Sequence, residues 1–263
     1  MGSQVGTTVS FNLPDGQEVV LETGKLATQA HGSCVVKVGN TMLFASVVSN
    51  LEPREGAPFF PLSVDYQEKF AAAGRIPGNF FRREARLSDY EILTSRLVDR
   101  AIRPLFPDGY MNDTQVIINL ISGDLDTLPD AYTALAASTA LSVSSIPWAG
   151  PISEVRVAKI NGEYVVNPSK SSLAEATMEI VVAATLENVM MVEGEAQECS
   201  EAELIDAIKV GHEAIKVQCQ AQLELAQKVG EKATVKRDIL VEEVDEDLKA
   251  CLLYTSPSPR DRG

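Results

Sequence analysis

The chain has few of the residues that metal sites, disulfide frameworks and nucleophilic catalysis require. Its 263 residues include four cysteines and two histidines. No CxxC pair occurs, so we expect neither a disulfide framework nor a zinc site, and interpret the cysteines as buried thiols or incidental surface residues. The histidines, His31 and His212, belong to no Ser/His/Asp or Cys/His arrangement and are interpreted as structural. The cysteines are Cys34, Cys199, Cys219 and Cys251.

Long apolar runs are also missing. No stretch has the roughly 20 consecutive apolar residues that a bilayer-spanning helix needs. Residues 1–6 have neither the apolar segment of a signal peptide nor the Ser or Thr that N-myristoylation favours at the sixth position. Because 45% of the residues are hydrophobic, the chain can bury a substantial core. We expect a cytoplasmic globular protein without a membrane partner.

Basic residues are scarce overall and concentrated locally. Lys and Arg number 23 against 37 Asp and Glu, which gives a formal net charge of -14. A protein whose overall field repels polyanions needs a local concentration of positive charge to bind one. Such a concentration indicates RNA or a phosphorylated ligand as partner. The clustered arginines are Arg82, Arg83, Arg86, Arg96, Arg100 and Arg103.

A glycine-punctuated loop at 74–86 combines aromatic and basic side chains. Phe80 and Phe81 can stack on bases of any sequence, and the neighbouring arginines can bind phosphates. The alternative is that both phenylalanines anchor the core and the arginines form an ordinary solvated rim. We predict a surface for single-stranded RNA formed by Phe80, Phe81, Arg82, Arg83, Arg86, Arg96, Arg100 and Arg103.

Short alternating or β-branched runs separated by turn signals predict strands. Hairpin turns are expected at Asp15-Gly16, Gly39-Asn40 and Asn161-Gly162. The nearly continuous apolar run at 115–122 predicts a strand that is buried on both faces. The predicted strands cover residues 9–13, 19–21, 35–38, 42–48, 62–66, 115–122, 155–160, 163–166, 179–184 and 189–193.

Three helices are predicted, which together with the strands indicate an α+β or α/β fold. The first, at 90–103, follows a capping-box spacing at Ser88 and is amphipathic, with Leu93 and Leu97 on one side and the arginines on another. An alanine-rich helix at 131–144 is expected in the core, and a long helix is expected at 201–228.

Five motifs carry a resemblance to a known family. They are ETG at 22–24, FFPL at 59–62, AGRIPG at 73–78, FFRRE at 80–84 and DRAIRPLFP at 99–107. In order and spacing these resemble the N-terminal region of the bacterial-type polynucleotide phosphorylase family. The resemblance covers about residues 9–249. It implies an α+β RNase PH-type domain at 1–228, with a ribosomal protein S5 domain 2-like βαβ architecture and a mixed sheet packed with helices. Residues 229–250 would begin an all-helical linker domain.

The resemblance implies 3′-to-5′ degradation of RNA by phosphorolysis, in which inorganic phosphate releases nucleoside diphosphates with the help of magnesium. In the family's catalytic domain a serine-rich loop holds the phosphate. The matching segment here, 126–130, carries Asp126 and Asp130, which would repel phosphate. Ser171 and Thr177 lie where metal-binding carboxylates are expected, and neither supplies an anionic ligand.

The nearby Glu175 and Glu179 are interpreted as a solvated strand edge, so we predict no catalytic residue and no metal ligand in this chain. Arg82 and Arg83 correspond to arginines that hold the RNA backbone in the family. The resemblance therefore implies a domain that binds and guides RNA. It also implies a homotrimeric parent enzyme of mRNA turnover, whose partners include RNA-degradosome components.

Two alternatives remain open from sequence. The chain could be a stand-alone phosphorolytic nuclease of the RNase PH type, or a non-catalytic RNA-binding subunit of a ring. Residues 251–263 differ abruptly from the acidic pattern before them and are rich in Ser, Pro and Arg. We interpret this tail as non-native, the alternative being a genuine disordered tail.

Overall fold

The computed structural model describes residues 6–74, 87–239 and 251. This part of the chain forms ten strands and four α-helices. The strands are β1 Thr7–Asn12, β2 Glu18–Thr23, β3 Gly32–Val38, β4 Thr41–Ser49, β5 Leu62–Glu68, β6 Thr114–Ser122, β7 Ser153–Ile160, β8 Glu163–Val166, β9 Ala176–Ala184 and β10 Val189–Ala196. The helices are α1 Asp89–Ile102, α2 Thr133–Ser142, α3 Glu201–Val229 and α4 Glu231–Thr234.

Strands β1 to β6 form one mixed sheet. Its order is β1-β2-β3-β4-β6-β5, and every neighbouring pair is antiparallel except β5 and β6, which run parallel. The predicted turns at Asp15-Gly16 and Gly39-Asn40 join β1 to β2 and β3 to β4, as expected. Helices α1 and α2 pack on one face of this sheet and share its hydrophobic core.

A second sheet has the order β10-β9-β7-β8 and is antiparallel throughout. Its β7–β8 turn confirms the hairpin predicted at Asn161-Gly162, where both residues have positive φ, 52° and 87°. That pair of left-handed conformations matches the right-handed twist of the flanking strands. One face of the sheet buries Val155, Val157 and Val182 against α3. The class is α+β with a mixed sheet packed against helices, as predicted.

Strand β6 differs from its predicted environment. Its burial alternates along the strand, with Val116 and Ile118 buried while Gln115 and Ile121 are exposed. The prediction of burial on both faces was therefore wrong. Helices α1 and α2 cover only one face of the six-stranded sheet in the part of the chain that the structure describes. An apolar sequence run alone does not reveal how many faces are covered.

Helix α1 begins with the predicted capping box, in which Ser88 and Glu91 bond each other's backbone N–H groups. The predicted division of its faces was wrong, because Leu93 is 56% exposed. The buried side of the helix combines the apolar residues Val98, Ala101 and Ile102 with polar residues that include Glu91 and Ser95. Ser95 Oγ accepts a hydrogen bond from the N–H of Tyr66 at 2.9 Å, and the Glu91 carboxylate accepts one from Glu68 at 2.8 Å. These side chains satisfy donors on the edge strand β5, which an apolar face could not do.

Helix α2 lies in the centre of the protein, as predicted, with every one of its residues buried. Two buried glutamines of α3 connect that helix to its neighbours, Gln222 to α2 and to the residue before β7, and Gln218 to β7. The Gln222 side chain accepts a hydrogen bond from Ser138 Oγ at 2.5 Å and donates one to the carbonyl of Ile152 at 2.9 Å. Gln218 accepts one from Ser153 Oγ at 2.6 Å. Buried polar groups need such partners, so this network constrains how α3 sits.

Trp148 and the two histidines have the structural roles expected from the sequence. Trp148 is a buried packing residue beside Phe106, as predicted, and His31 and His212 make structural hydrogen bonds to backbone atoms. Cys34 and Cys219 are buried free thiols, Cys199 is an exposed free thiol, and Cys251 is exposed. Among the described helices, none combines the length and apolar content that crossing a membrane requires.

The proposed boundary near residue 228 stays a prediction. The linker segment 229–250 is described only as far as Ile239, and the tail only at Cys251. The visible part packs on the core, because Lys236 Nζ donates to the carbonyl of Ser144 at 2.6 Å and Arg237 donates to Ser49 Oγ at 2.6 Å.

The close approach of β3 to α2 at Gly32 gives a testable prediction. A Cβ on Gly32 would lie 2.0 Å from the carbonyl oxygen of Ala140 and 2.9 Å from the Cβ of Ser144. Because neither atom can move without shifting α2, Gly32→Ala should lower the free energy of unfolding by about 1–3 kcal/mol. Ser10→Ala, on the exposed side of β1, should change it by less than about 0.5 kcal/mol. Chemical denaturation of both variants checks this, and equal stabilities would contradict it.

Candidate nucleic-acid interface

A groove of about 310 Å³ lies between helix α1 and the four-stranded sheet. We call it the α1–β10 groove. Helix α1 contributes apolar and basic side chains to one wall, and β9 and β10 form the other. Its lining residues include Tyr90, Leu93, Arg96, Leu97, Arg100 and Glu193.

The helical repeat explains why apolar and basic residues share this wall. Leu93, Arg96, Leu97 and Arg100 stand at positions i, i+3, i+4 and i+7, which lie on one face of a helix. Arg96 and Arg100 are exposed. The sequence prediction had assigned leucines and arginines to different sides of α1. The structure brings them together, which gives the groove apolar surface beside positive charge.

The structure describes three of the eight residues predicted to bind RNA. Arg96 and Arg100 line the groove. Five others, Phe80, Phe81, Arg82, Arg83 and Arg86, lie outside the described residues. Their roles stay predictions.

Arg103 is committed to contacts within the protein. Its guanidinium donates to both carboxylate oxygens of Asp99, at 2.7 and 3.1 Å, and to the carbonyls of Phe60 and Leu62, at 2.9 and 3.1 Å. It also lies over the Phe60 ring, 5.7 Å from the centroid. These bonds tie the end of α1 to the start of β5. Its predicted contact with RNA has no support from this geometry.

An ion-pair network forms the inner end of the groove. Arg156 on β7 pairs with Asp130, which precedes α2, and with Glu179 on β9. The Asp130 side chain is only 4% exposed and that of Arg156 14%. Glu179 was expected at a solvated edge, and this was wrong, because its side chain is 26% exposed and paired. Glu175 is exposed, as expected.

The two segments predicted to match the family's phosphate loop and metal ligands do lie together. Asp126 accepts hydrogen bonds from the backbone N–H and the hydroxyl of Ser171, at 2.9 and 3.1 Å. Thr177 Oγ1 donates to the carbonyl of Lys159 at 3.3 Å. Within the described ranges no three His, Cys, Asp or Glu side chains are arranged to hold a metal ion.

Glu154 is a buried carboxyl group next to this network. It lies on β7 two residues before Arg156 and is 1% exposed. Burial, with the nearby charge of Asp130 adding to it and that of Arg156 opposing it, raises the pKa of Glu154 to about 8. The group is therefore mostly protonated at neutral pH. Burial also raises the pKa of Tyr90.

Two family models match the chain. The model described as 3′ exoribonuclease family, domain 1, matches residues 15–147, and the model for domain 2 of that family matches residues 150–214. The chain belongs to the 3′ exoribonuclease family. The first match runs from the β1–β2 turn through α2. The second covers the four-stranded sheet and the first half of α3.

Curated relatives are polyribonucleotide nucleotidyltransferases, and the chain is similar to their N-terminal region. That of Bacteroides fragilis is 58% identical over 91% of this chain and 34% of the relative. Those of Cytophaga hutchinsonii and Porphyromonas gingivalis are 57% and 52% identical over 91% of this chain, covering 33% and 32% of their own lengths. The chain thus spans about a third of the length of the curated relatives it matches.

A solved structure has the same fold. It is a chain of the Archaeoglobus fulgidus exosome with RNA bound to the active site, which superposes with a TM-score of 0.57 at 19% identity. The likeness covers 81% of this chain and 92% of that chain. It confirms the RNase PH type of fold that the motifs implied.

Sequence reasoning missed Arg156 and Glu193. A signal for Arg156 was present, since it is a lone arginine between the apolar residues Val155 and Val157 of a predicted strand. Buried charges need partners, so an acidic residue nearby could have been expected. Glu193 had no comparable signal, because its partner lies on α1, far away in the chain.

The buried carboxyl group gives a prediction on pH dependence. Glu154 has a pKa near 8 in the folded state against 4.5 as a free group. Between these values the unfolded chain binds fewer protons, so this group's contribution to stability is lost as pH rises. The stability of Glu154→Gln relative to that of the wild type should therefore increase as the pH is raised from about 5 to 8. Glu163→Gln, on the exposed end of β8, serves as control. The free energy of unfolding of the wild type and of both variants is measured at both pH values. If the difference between Glu154→Gln and the wild type is the same at both, the prediction is contradicted.

Proposed function

We propose that this chain is the RNA-holding part of a phosphorolytic 3′-to-5′ exoribonuclease. In this view the parent enzyme releases nucleoside diphosphates from RNA by the attack of inorganic phosphate. The relatives' name, polyribonucleotide nucleotidyltransferase, supports this reaction class. The RNA bound in the exosome structure is in keeping with the same substrate class.

The observation that carries the proposal is the placing of Arg96 and Arg100 beside exposed apolar surface. In a chain of net charge -14, two exposed arginines on one helix face form a local site for phosphates. Leu93 and the Tyr90 ring supply surface on which a base can pack. The predicted loop residues Phe80, Phe81, Arg82, Arg83 and Arg86 precede the same helix in the chain and extend the proposed surface.

The chemistry is assigned to a part of the parent enzyme beyond the matched third. Asp130 and Asp126, at the positions compared with the phosphate loop, are bonded to Arg156 and Ser171. A phosphate placed there would meet two carboxylates. Magnesium, which the family implies, does not fit the donors in the described ranges, so it is proposed for the parent enzyme only.

The assembly of the parent enzyme is also proposed from the family relationship. We propose that the parent enzyme is a cytoplasmic homotrimer that acts in mRNA turnover, with RNA-degradosome components as possible partners. In that setting this domain supports trimer assembly and guides single-stranded RNA. A non-catalytic ring subunit would use the same surface, and the stand-alone nuclease differs from both in being active by itself.

The chain alone should show no phosphorolysis, because the aspartates at 126 and 130 leave no anion-binding loop at the start of α2. Incubation with poly(A), inorganic phosphate and magnesium should release no ADP above background. A full-length relative in the same assay is the positive control. Phosphate-dependent and magnesium-dependent ADP release by the purified chain would favour the stand-alone nuclease instead.

Arg96→Gln should weaken binding of single-stranded RNA by a similar factor for oligo(A) and oligo(U). Each phosphate contact contributes counterion release, so the slope of log affinity against log salt should fall by about 0.7–1. Arg54→Gln removes the same charge from an exposed arginine that pairs with Asp113 elsewhere on the surface. Titrations at several salt concentrations compare them. Equal affinities for the two variants would refute a phosphate contact at Arg96.

A further inference from the structure

One ion pair crosses the α1–β10 groove. Arg100 on α1 pairs with Glu193 on β10, the edge strand of the four-stranded sheet. The two side chains are 55% and 50% exposed. Within the described residues Glu193 is the only partner of the Arg100 guanidinium, whereas Arg103 has four hydrogen bonds. Arg100 therefore has donors left for another acceptor.

The energetics of this pair favour exchange. A solvent-exposed ion pair gains little, because water screens both charges and two long side chains lose freedom. A phosphate can bind the guanidinium as a carboxylate does, and RNA in addition releases condensed counterions on binding, which a carboxylate on the same chain does not. A phosphate can therefore replace Glu193 at small cost.

The groove beside the pair has room for one nucleotide. Its volume is about 310 Å³, and Leu93, Leu97 and Tyr90 provide an apolar wall next to Arg100. The opposite wall includes Val181, Glu193 and Gly194, and the glycine adds no side chain there. A flat base can lie against such a wall, and stacking or apolar contact is tolerant of sequence.

We propose that the α1–β10 groove is a single-nucleotide subsite for RNA, and that Glu193 occupies the phosphate position until RNA displaces it from Arg100. The base packs against Leu93 and Leu97, and the phosphate binds Arg100. Glu193 thus lowers the affinity of the site for RNA and for any other anion, because each must displace the tethered carboxylate. This inference rests on the proposed RNA binding.

The test compares two glutamates of the same strand. Glu193→Gln removes the competing charge, whereas Glu195→Gln removes an equal charge two residues away on the same side of β10. Binding of a fluorescent 12-nucleotide oligo(A) is measured by anisotropy. Glu193→Gln should bind about 2–5-fold more tightly than Glu195→Gln, the range that corresponds to an exposed ion pair of up to about 1 kcal/mol.

The same pair of substitutions is repeated in an Arg100→Gln background. There Glu193 has no arginine to compete for, so both variants should bind RNA equally. Thermal melting of each protein confirms that all are folded, which is expected since the three side chains are exposed.

Two results would overturn the inference. Equal affinities of Glu193→Gln and Glu195→Gln in the Arg100 protein show that Glu193 does not compete, while RNA binding by the wild type and its dependence on Arg96 would stand. An advantage of Glu193→Gln that persists without Arg100 shows a general charge effect. Failure of the wild type to bind the oligonucleotide refutes the proposed function itself.

Discussion

The burial of α2 is the constraint on which the rest of the structure depends. All of its residues are buried, and Gly32 allows β3 to approach its backbone more closely than any side chain would permit. The helix contacts strands of both sheets as well as α1 and α3. Its alanines and serines are small enough for this. Because α2 is held from every side, the residues just before it are held too, and Asp130 is placed where Arg156 can reach it.

This placement decides how charge is distributed around the groove. Arg156 lies inside, paired with two carboxylates, and Glu154 beside it remains mostly protonated at neutral pH because ionisation in this environment is costly. Buried positive charge is thus neutralised by the chain itself. The arginines that line the groove on α1 remain exposed to solvent. One of them, Arg100, pairs with the carboxylate of Glu193 on the edge strand β10. In an acidic protein these exposed guanidinium groups provide local positive charge that an anion can approach.

Family membership and this arrangement fit together. The two family matches cover the start of α2 and the strands of the α1–β10 groove, and in this chain Asp130 lines that groove. The positions before α2 hold aspartates that bond to Ser171 and Arg156. Function depends on sites carried by a fold and not on the fold alone. The same scaffold can therefore serve a catalytic domain or a domain that only holds the substrate.

The sequence by itself determined the local elements and the family. Turn residues such as Asn161-Gly162 and the capping box at Ser88 act within a few residues, so hairpins and helix starts could be predicted from spacing. The motifs around the arginine loop identified the family because they too are short local patterns that the sequence shows directly. Tertiary structure alone decided that Leu93 is exposed, that β6 has one open face and that Glu179 and Glu193 pair with arginines. These depend on contacts between residues distant in the chain, and such contacts leave no periodic signal because burial and charge pairing are set by packing between elements.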